Sequence, residues 1–292
     1  WARAGSRQEG SWSQLFGAEA DEVFMAWHTA RFLERVAAAG RRAYDLPMYA
    51  NAWLVSGPDS RPGQYPSGGP VSRMLDVWRA AAPHLDLLAP DIYLPDFRGV
   101  CADYTQSGNP LFIPEARNGR AAAANALYAF ARHDAIGFSP FAIDDLTLPH
   151  PLPETYATLA DMMPVLTAAQ GTGRMTAFLQ QEETAEWTAD LDGFRFTART
   201  RRRPADSDMP GCALLLSLGD GEFVAAGTQV TLSFAPADMP DRKAELLWLD
   251  EGRFDDGRWL PERRLNGDET FHGTGTVFGD SLKVCRLKLH TY

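Results

Sequence analysis

Four short apolar runs of this chain each end in side chains that can do chemistry. Asn51 and Trp53 close the run that begins at Leu46, and Asp91 and Tyr93 close the one that begins at Leu85. Glu115 and Arg117 follow Pro110–Pro114, and Asp144 and Asp145 follow Ala135–Phe141. Carboxylates, an amide, an arginine and aromatic rings on neighbouring strand tips suit a sugar ring. Aromatic faces stack on the pyranose, amides and carboxylates bind hydroxyls, and one carboxylate attacks or shields an oxocarbenium-like centre. Glu115 is the sharpest candidate. It projects from the end of Leu111-Phe112-Ile113-Pro114, and the Arg117 guanidinium two residues on would keep it ionised, as a nucleophile requires. The competing reading is an Arg–Glu pair that only fixes a loop. Asp91 either faces the pocket or accepts backbone amides that close the strand end, and the second role is favoured. Asn51 and Trp53 alternate along a strand and so share a face, which is either the pocket or the layer beneath it. Asp144 and Asp145 are adjacent, so their side chains point apart, which suits a loop or cap.

Other chemistries find little support. The six histidines are scattered without ligand spacing, and no Gly-x-Ser-x-Gly elbow accompanies them. Neither a metal nor a cofactor is expected. Pro66-Ser67-Gly68-Gly69-Pro70 has neither the spacing nor the lysine of a phosphate loop. Cys101, Cys212 and Cys285 lie far apart and make no disulfide framework or zinc motif. Arg201-Arg202-Arg203 reads as a solvated turn between strands. A net charge of -10 argues against nucleic acid as the main partner. No apolar run reaches membrane-spanning length.

The elements that must carry these tips follow from periodicity. The 292 residues suggest two domains. Residues 1–20 look irregular. From Asp21, apolar residues recur at three and four positions through Ala37, with acids in the first turn and Gly40 as the expected stop. Helices are also expected over Val71–Ala82, Asp96–Tyr104, Ala121–Arg132 and Thr155–Gln170. Strand, polar tip, loop and helix alternate four times, the pattern of a parallel sheet with crossover helices, whose function sits at the strands' carboxyl ends.

After Gly173 the texture changes. Met175–Gln180, Thr184–Ala189, Gly193–Thr200, Ala213–Leu218, Glu222–Ala226, Gln229–Phe234, Ala244–Leu249 and Leu282–Leu289 are short and β-rich. Asp192-Gly193, Asp256-Gly257 and Asn266-Gly267 punctuate them as turns. The expected fold class is therefore α/β followed by all-β: residues 1–173 as the α/β domain and 174–292 as an antiparallel β-sandwich.

Several motifs together resemble a known family. Asp21–Trp27, Leu46–Leu54, Tyr65–Pro70, Ala89–Tyr93 and Asn109–Arg117 look like bacterial β-galactosidases of the glycoside hydrolase family 35 type, in the superfamily with the retaining (β/α)8 barrel. The C-terminal part is similar to the β-sandwich that follows the barrel in that group. The resemblance implies that Pro47–Ala52, Leu87–Ile92, Leu111–Pro114 and Ile136–Phe141 are barrel strands 5 to 8, and that Glu115 is the nucleophile. It further implies that Asn51, Trp53, Tyr93 and Phe141 line the sugar subsite; Asp91 and Arg117 join them as substrate-binding candidates from their place at the strand tips.

Strands 1–4, and the Asn-Glu acid/base motif at strand 4, have no counterpart here. Glu9 and Glu19 do not match it. The chain begins at Trp1 without a methionine, so the expectation is the C-terminal portion of a longer enzyme whose upstream half of the barrel, in the same polypeptide, supplies the acid/base. The alternative is a non-catalytic carbohydrate-binding or scaffold protein that lacks that half. The ligand implied is a galactoside or plant-type oligosaccharide. A homo-oligomer is compatible with the sequence, which leaves location open between cytoplasm and export.

Overall fold

The computed structural model describes residues 3, 5, 9–57, 59–181, 186–201, 209–238 and 241–292. Arg202 and Arg203 of the arginine run, and the start of the strand expected at Thr184, lie outside the described residues. The fold is α/β followed by antiparallel all-β sheets, in two compact units. One comprises residues 1–116 and 136–139; the other comprises 117–135 and 140–292.

The first unit opens with α1 (Trp12–Phe16) inside the stretch expected to be irregular. A capping box explains it: the Ser11 hydroxyl accepts from the Gln14 amide while Gln14 reaches back to the Ser11 amide. α2 (Ala20–Ala43) carries Asp21 and Glu22 at its start and Arg41 and Arg42 at its end, favourable against the helix dipole. It runs through Gly40, the expected stop, and ends where Tyr44 turns extended. Its buried face is built of Val23, Ala26, Ala30 and Ala37. Small side chains there let it lie close to α3 (Leu75–Ala81), which follows a 3-10 turn over Ser72–Met74.

A four-stranded sheet forms in the order β1 (Tyr49–Ala52), β2 (Leu87–Ile92), β3 (Phe112–Ala116), β4 (Gly137–Pro140). β1 pairs with β2 and β2 with β3 in parallel. The strands are shorter than the apolar runs that announced them, and Trp53, Tyr93 and Phe141 fall just past the ends of β1, β2 and β4. α4 (Phe97–Tyr104) leads from β2 towards β3, with Asp96 accepting from the Gly99 amide as its N-cap. Asn109 then ties this connection down. Its Oδ1 accepts from the Leu88 amide, and its Nδ2 donates to the Leu88 and Tyr104 carbonyls at 2.9 and 2.7 Å. Gly137 is required by a close approach: a Cβ there would stand 2.6 Å from the Phe112 ring. That ring in turn meets Tyr49 edge-on, with centroids 4.9 Å apart.

The second unit contains α5 (Ala122–His133), α6 (Pro151–Ala169) and two antiparallel sheets. β5 (Met175–Leu179), β8 (Cys212–Gly219), β9 (Glu222–Thr228), β11 (Ala244–Asp255), β12 (Arg258–Leu265) and β14 (Lys283–Thr291) form one sheet. β6 (Glu186–Leu191), β7 (Phe194–Thr200), β10 (Val230–Pro236) and β13 (Gly275–Phe278) form the other. β12 and β13 escaped the sequence reading. β12 is largely exposed and charged, so it carries little apolar alternation. Phe178, Phe196, Phe223, Leu232, Phe278 and Leu287 are among the core between the sheets. β5 and β8 read as continuous apolar runs because the alanine face of α5 covers their other side. Cys101, Cys212 and Cys285 are all buried, and burial pushes their thiols up, away from nucleophilic chemistry.

Candidate active site

In parallel α/β folds the reacting groups collect where strands end and loops begin. Asp91, next to last in β2, and Glu115, next to last in β3, are register partners. Partners in a parallel pair project to the same face of the sheet, so the two carboxylates stand side by side. Asn51, next to last in β1, donates its amide N–H to Asp91 Oδ1 at 2.8 Å. Tyr93, one residue past β2, donates its phenol to Glu115 Oε1 at 2.6 Å. Three strand ends thus contribute one linked row: amide, carboxylate, carboxylate, phenol.

The row is only partly shielded. Asp91, Tyr93 and Glu115 are half-buried and Asn51 is exposed. Burial raises the Asp91 carboxyl above its ordinary value, the Asn51 N–H pulls it back, and the neighbouring Glu115 charge raises it further. A phenol donating to a carboxylate makes a charge-assisted bond that fixes the rotamer of Glu115. Oε1 carries that bond, and Oε2 accepts none from the described residues.

The other sequence candidates behave differently. Trp53 stands 68% exposed past the end of β1, on the side of the chain that Asn51 shares by alternation. Phe141 is likewise exposed past β4. Arg117 is exposed two residues beyond Glu115. Asp144 and Asp145 sit exposed in a 3-10 turn over Ile143–Asp145. Asp91 takes a side-chain amide as its partner, where a backbone-capping role was favoured from sequence. The resemblance implies that Tyr93 lines the sugar subsite; the structure adds its phenol bond to Glu115, for which a tyrosine two residues past a strand-end aspartate is the sequence signal.

A second polar cluster holds the connection after β1. Glu22 of α2 is buried, accepts from the Tyr65 phenol at 2.5 Å and pairs with Arg73 at 2.9 Å. The Arg73 guanidinium also lies over the Tyr65 ring, 5.1 Å from its centroid. Tyr65 opens the Tyr65–Pro70 motif, and its phenol bond to Glu22 anchors that segment to α2. Among the described residues no group of three or more His, Cys, Asp or Glu side chains is arranged to hold a metal ion, and no helix is long and apolar enough to cross a membrane.

Comparison with known proteins reaches only part of the chain. No curated protein matches it. Residues 152–276, from the start of α6 into β13, match a family model described as "Domain of unknown function (DUF5597)".

Proposed function

We propose that the chain carries the nucleophile side of a retaining glycoside hydrolase acting on terminal β-galactosides. In this reading the four parallel strands are strands 5–8 of a (β/α)8 barrel, and the antiparallel sheets form an accessory sandwich. The observation that supports it most is Glu115: a carboxylate at a strand's carboxyl end, oriented by the Tyr93 phenol, one oxygen free, beside a second carboxylate. The motifs that resemble β-galactosidases supply the sugar class.

The double displacement assigns each group a task. Glu115 Oε2 attacks the anomeric carbon while the bond to the leaving oxygen breaks, giving a glycosyl ester on Glu115. The Tyr93 phenol holds Oε1 throughout and steadies the carboxylate that reforms when water cleaves the ester. Asn51 and Asp91 bind sugar hydroxyls, with Trp53 as a further substrate contact. A general acid must protonate the leaving oxygen and then activate water; it is assigned to a glutamate of the upstream barrel half.

A substrate whose leaving group needs no proton tests the nucleophile apart from that acid. A 2-deoxy-2-fluoro-β-galactosyl fluoride loses fluoride as the ester forms, and the 2-fluorine slows the ester's hydrolysis. Intact-mass spectrometry is expected to show one added fluorogalactosyl group per chain, on the peptide containing Glu115, and none on Glu115→Gln. Labelling on another residue, or none on a folded wild-type chain, would overturn the assignment. A wild-type chain that binds galactosides without labelling would instead favour a carbohydrate-binding protein, for which the open acceptor row is the supporting feature.

A further inference from the structure

The linked row at the strand ends has more acceptors than donors. Asn51 spends an N–H on Asp91 Oδ1, and Tyr93 spends its O–H on Glu115 Oε1. Asn51 Oδ1, Asp91 Oδ2 and Glu115 Oε2 accept no hydrogen bond from the described residues. Asp91 and Glu115 are both acceptor-only when ionised. The groups that act on Asp91 are Asn51 and Glu115, and among the described residues no cation offsets its charge. Glu115 Oε2 faces the reacting carbon in the reading above, so Asp91 Oδ2 is the charged acceptor left for recognition.

A half-buried carboxylate oxygen of this kind asks its ligand for a donor. A sugar hydroxyl can donate, whereas an ether, a fluorine or an anionic substituent cannot. Asn51 restrains the carboxylate by holding Oδ1 at 2.8 Å, which leaves Oδ2 as the oxygen open to a ligand. We infer that Asp91, oriented by Asn51, is the specificity-determining residue of this site, and that it recognises one ring hydroxyl of a neutral sugar strictly as a hydrogen-bond donor. This rests on the glycosidase reading of the same site. It goes further by separating Asp91, which selects the sugar, from Glu115, which reacts with it.

Replacing a hydroxyl by fluorine keeps its size and removes only the donor, so a fluorine scan isolates this contact. The binding of methyl β-galactoside and its 2-, 3-, 4- and 6-deoxyfluoro analogues is measured by titration calorimetry on the full chain, for wild type, Asp91→Ala, Asp91→Asn and Asn51→Ala. A hydrogen bond to a charged acceptor predicts a loss of about tenfold or more at one ring position in wild type. In Asp91→Ala that penalty is expected to shrink to within about twofold, with the penalties at other positions unchanged, as a double-mutant cycle requires. Asp91→Asn, which keeps the shape of the side chain, serves if the alanine variant does not fold, and shrinks the same penalty. Asn51→Ala shrinks it in part. Identical penalty patterns in wild type and the folded Asp91 variants would overturn the inference while leaving the glycosidase reading intact. Failure of wild type to bind the parent galactoside would overturn both.

Discussion

The two compact units overlap in how they treat charge, and they differ in one respect. In the sandwich unit, Asp190, Glu222 and Glu269 are each held below the ordinary carboxylate range by an arginine. The Arg195 hydrogen bond does this for Asp190, Arg286 for Glu222 and Arg263 for Glu269. The cluster between its sheets is aromatic and aliphatic, with Phe196, Phe223 and Phe278 fully buried. The parallel-sheet unit keeps such pairs as well, Asp76 with Arg3 among them. It also holds two carboxyls pushed upward, Glu22 and Asp91, each with burial as the first cause. Placing a carboxylate where burial penalises its charge costs stability, and perturbed groups of this kind gather at sites with a task. Among the described residues the upward-shifted carboxyls thus lie in the parallel-sheet unit, Asp91 at the strand ends and Glu22 in the cluster with Tyr65 and Arg73.

The largest effect expected from this contrast is on stability. Phe223 is fully buried, and its ring meets Phe196 and Phe194 edge-on, with centroids 4.9 and 5.7 Å away. Truncating a core phenylalanine costs about 3–5 kcal/mol through lost burial and the cavity left behind. Phe223→Ala is expected to lower the urea midpoint by that equivalent. At temperatures where the variant is still folded, labelling by the fluorogalactosyl fluoride should proceed at the wild-type rate. Loss of labelling in a folded Phe223→Ala chain would break the contrast.

The next effect is its converse. Tyr93→Phe keeps the ring and removes only the phenol that orients Glu115. Removing one charge-assisted donor from a reacting group costs about tenfold to a thousandfold in rate. The labelling rate is expected to fall within that range, with the urea midpoint nearly unchanged. A fall in stability with an unchanged rate would mean that Tyr93 serves the fold and leaves Glu115 to orient itself.

How much of this was legible beforehand follows from which forces leave periodic marks. The four parallel strands and the helices α2, α5 and α6 announce themselves through apolar spacing, since burying one face is what fixes them. Glu115 was legible because a carboxylate straight after an apolar run must emerge at a strand end. The Asn51–Asp91 bond was not, because the two lie forty positions apart and only the register of β1 on β2 joins their strands. The capping box of α1, β12 with its charged exposed face and the Glu22–Tyr65–Arg73 cluster also went unseen. Each depends on a few polar contacts that leave no apolar rhythm.

Glu22 offers the finest test of the contrast, because its sign is opposite to that of the sandwich carboxylates. Burial raises its carboxyl above the ordinary glutamate value of 4.5, against the pull of Arg73. The folded state then binds the proton more tightly than the unfolded chain does. Stability from this group is fully present below the unfolded value and is lost as pH rises through the window just above it. Glu222, held down first by its hydrogen bond to Arg286, acts the other way: its contribution is present above the unfolded value and fades as pH falls through the lowered one. The stability of wild type relative to Glu22→Gln, from urea midpoints at fixed ionic strength, should therefore decline as pH is raised through that window. Relative to Glu222→Gln it should decline as pH is lowered below the ordinary glutamate value. A Glu22 difference that grew with pH would mean that Arg73 outweighs burial, and that the loop after β1 is held by an ordinary ion pair of the kind found across the sandwich.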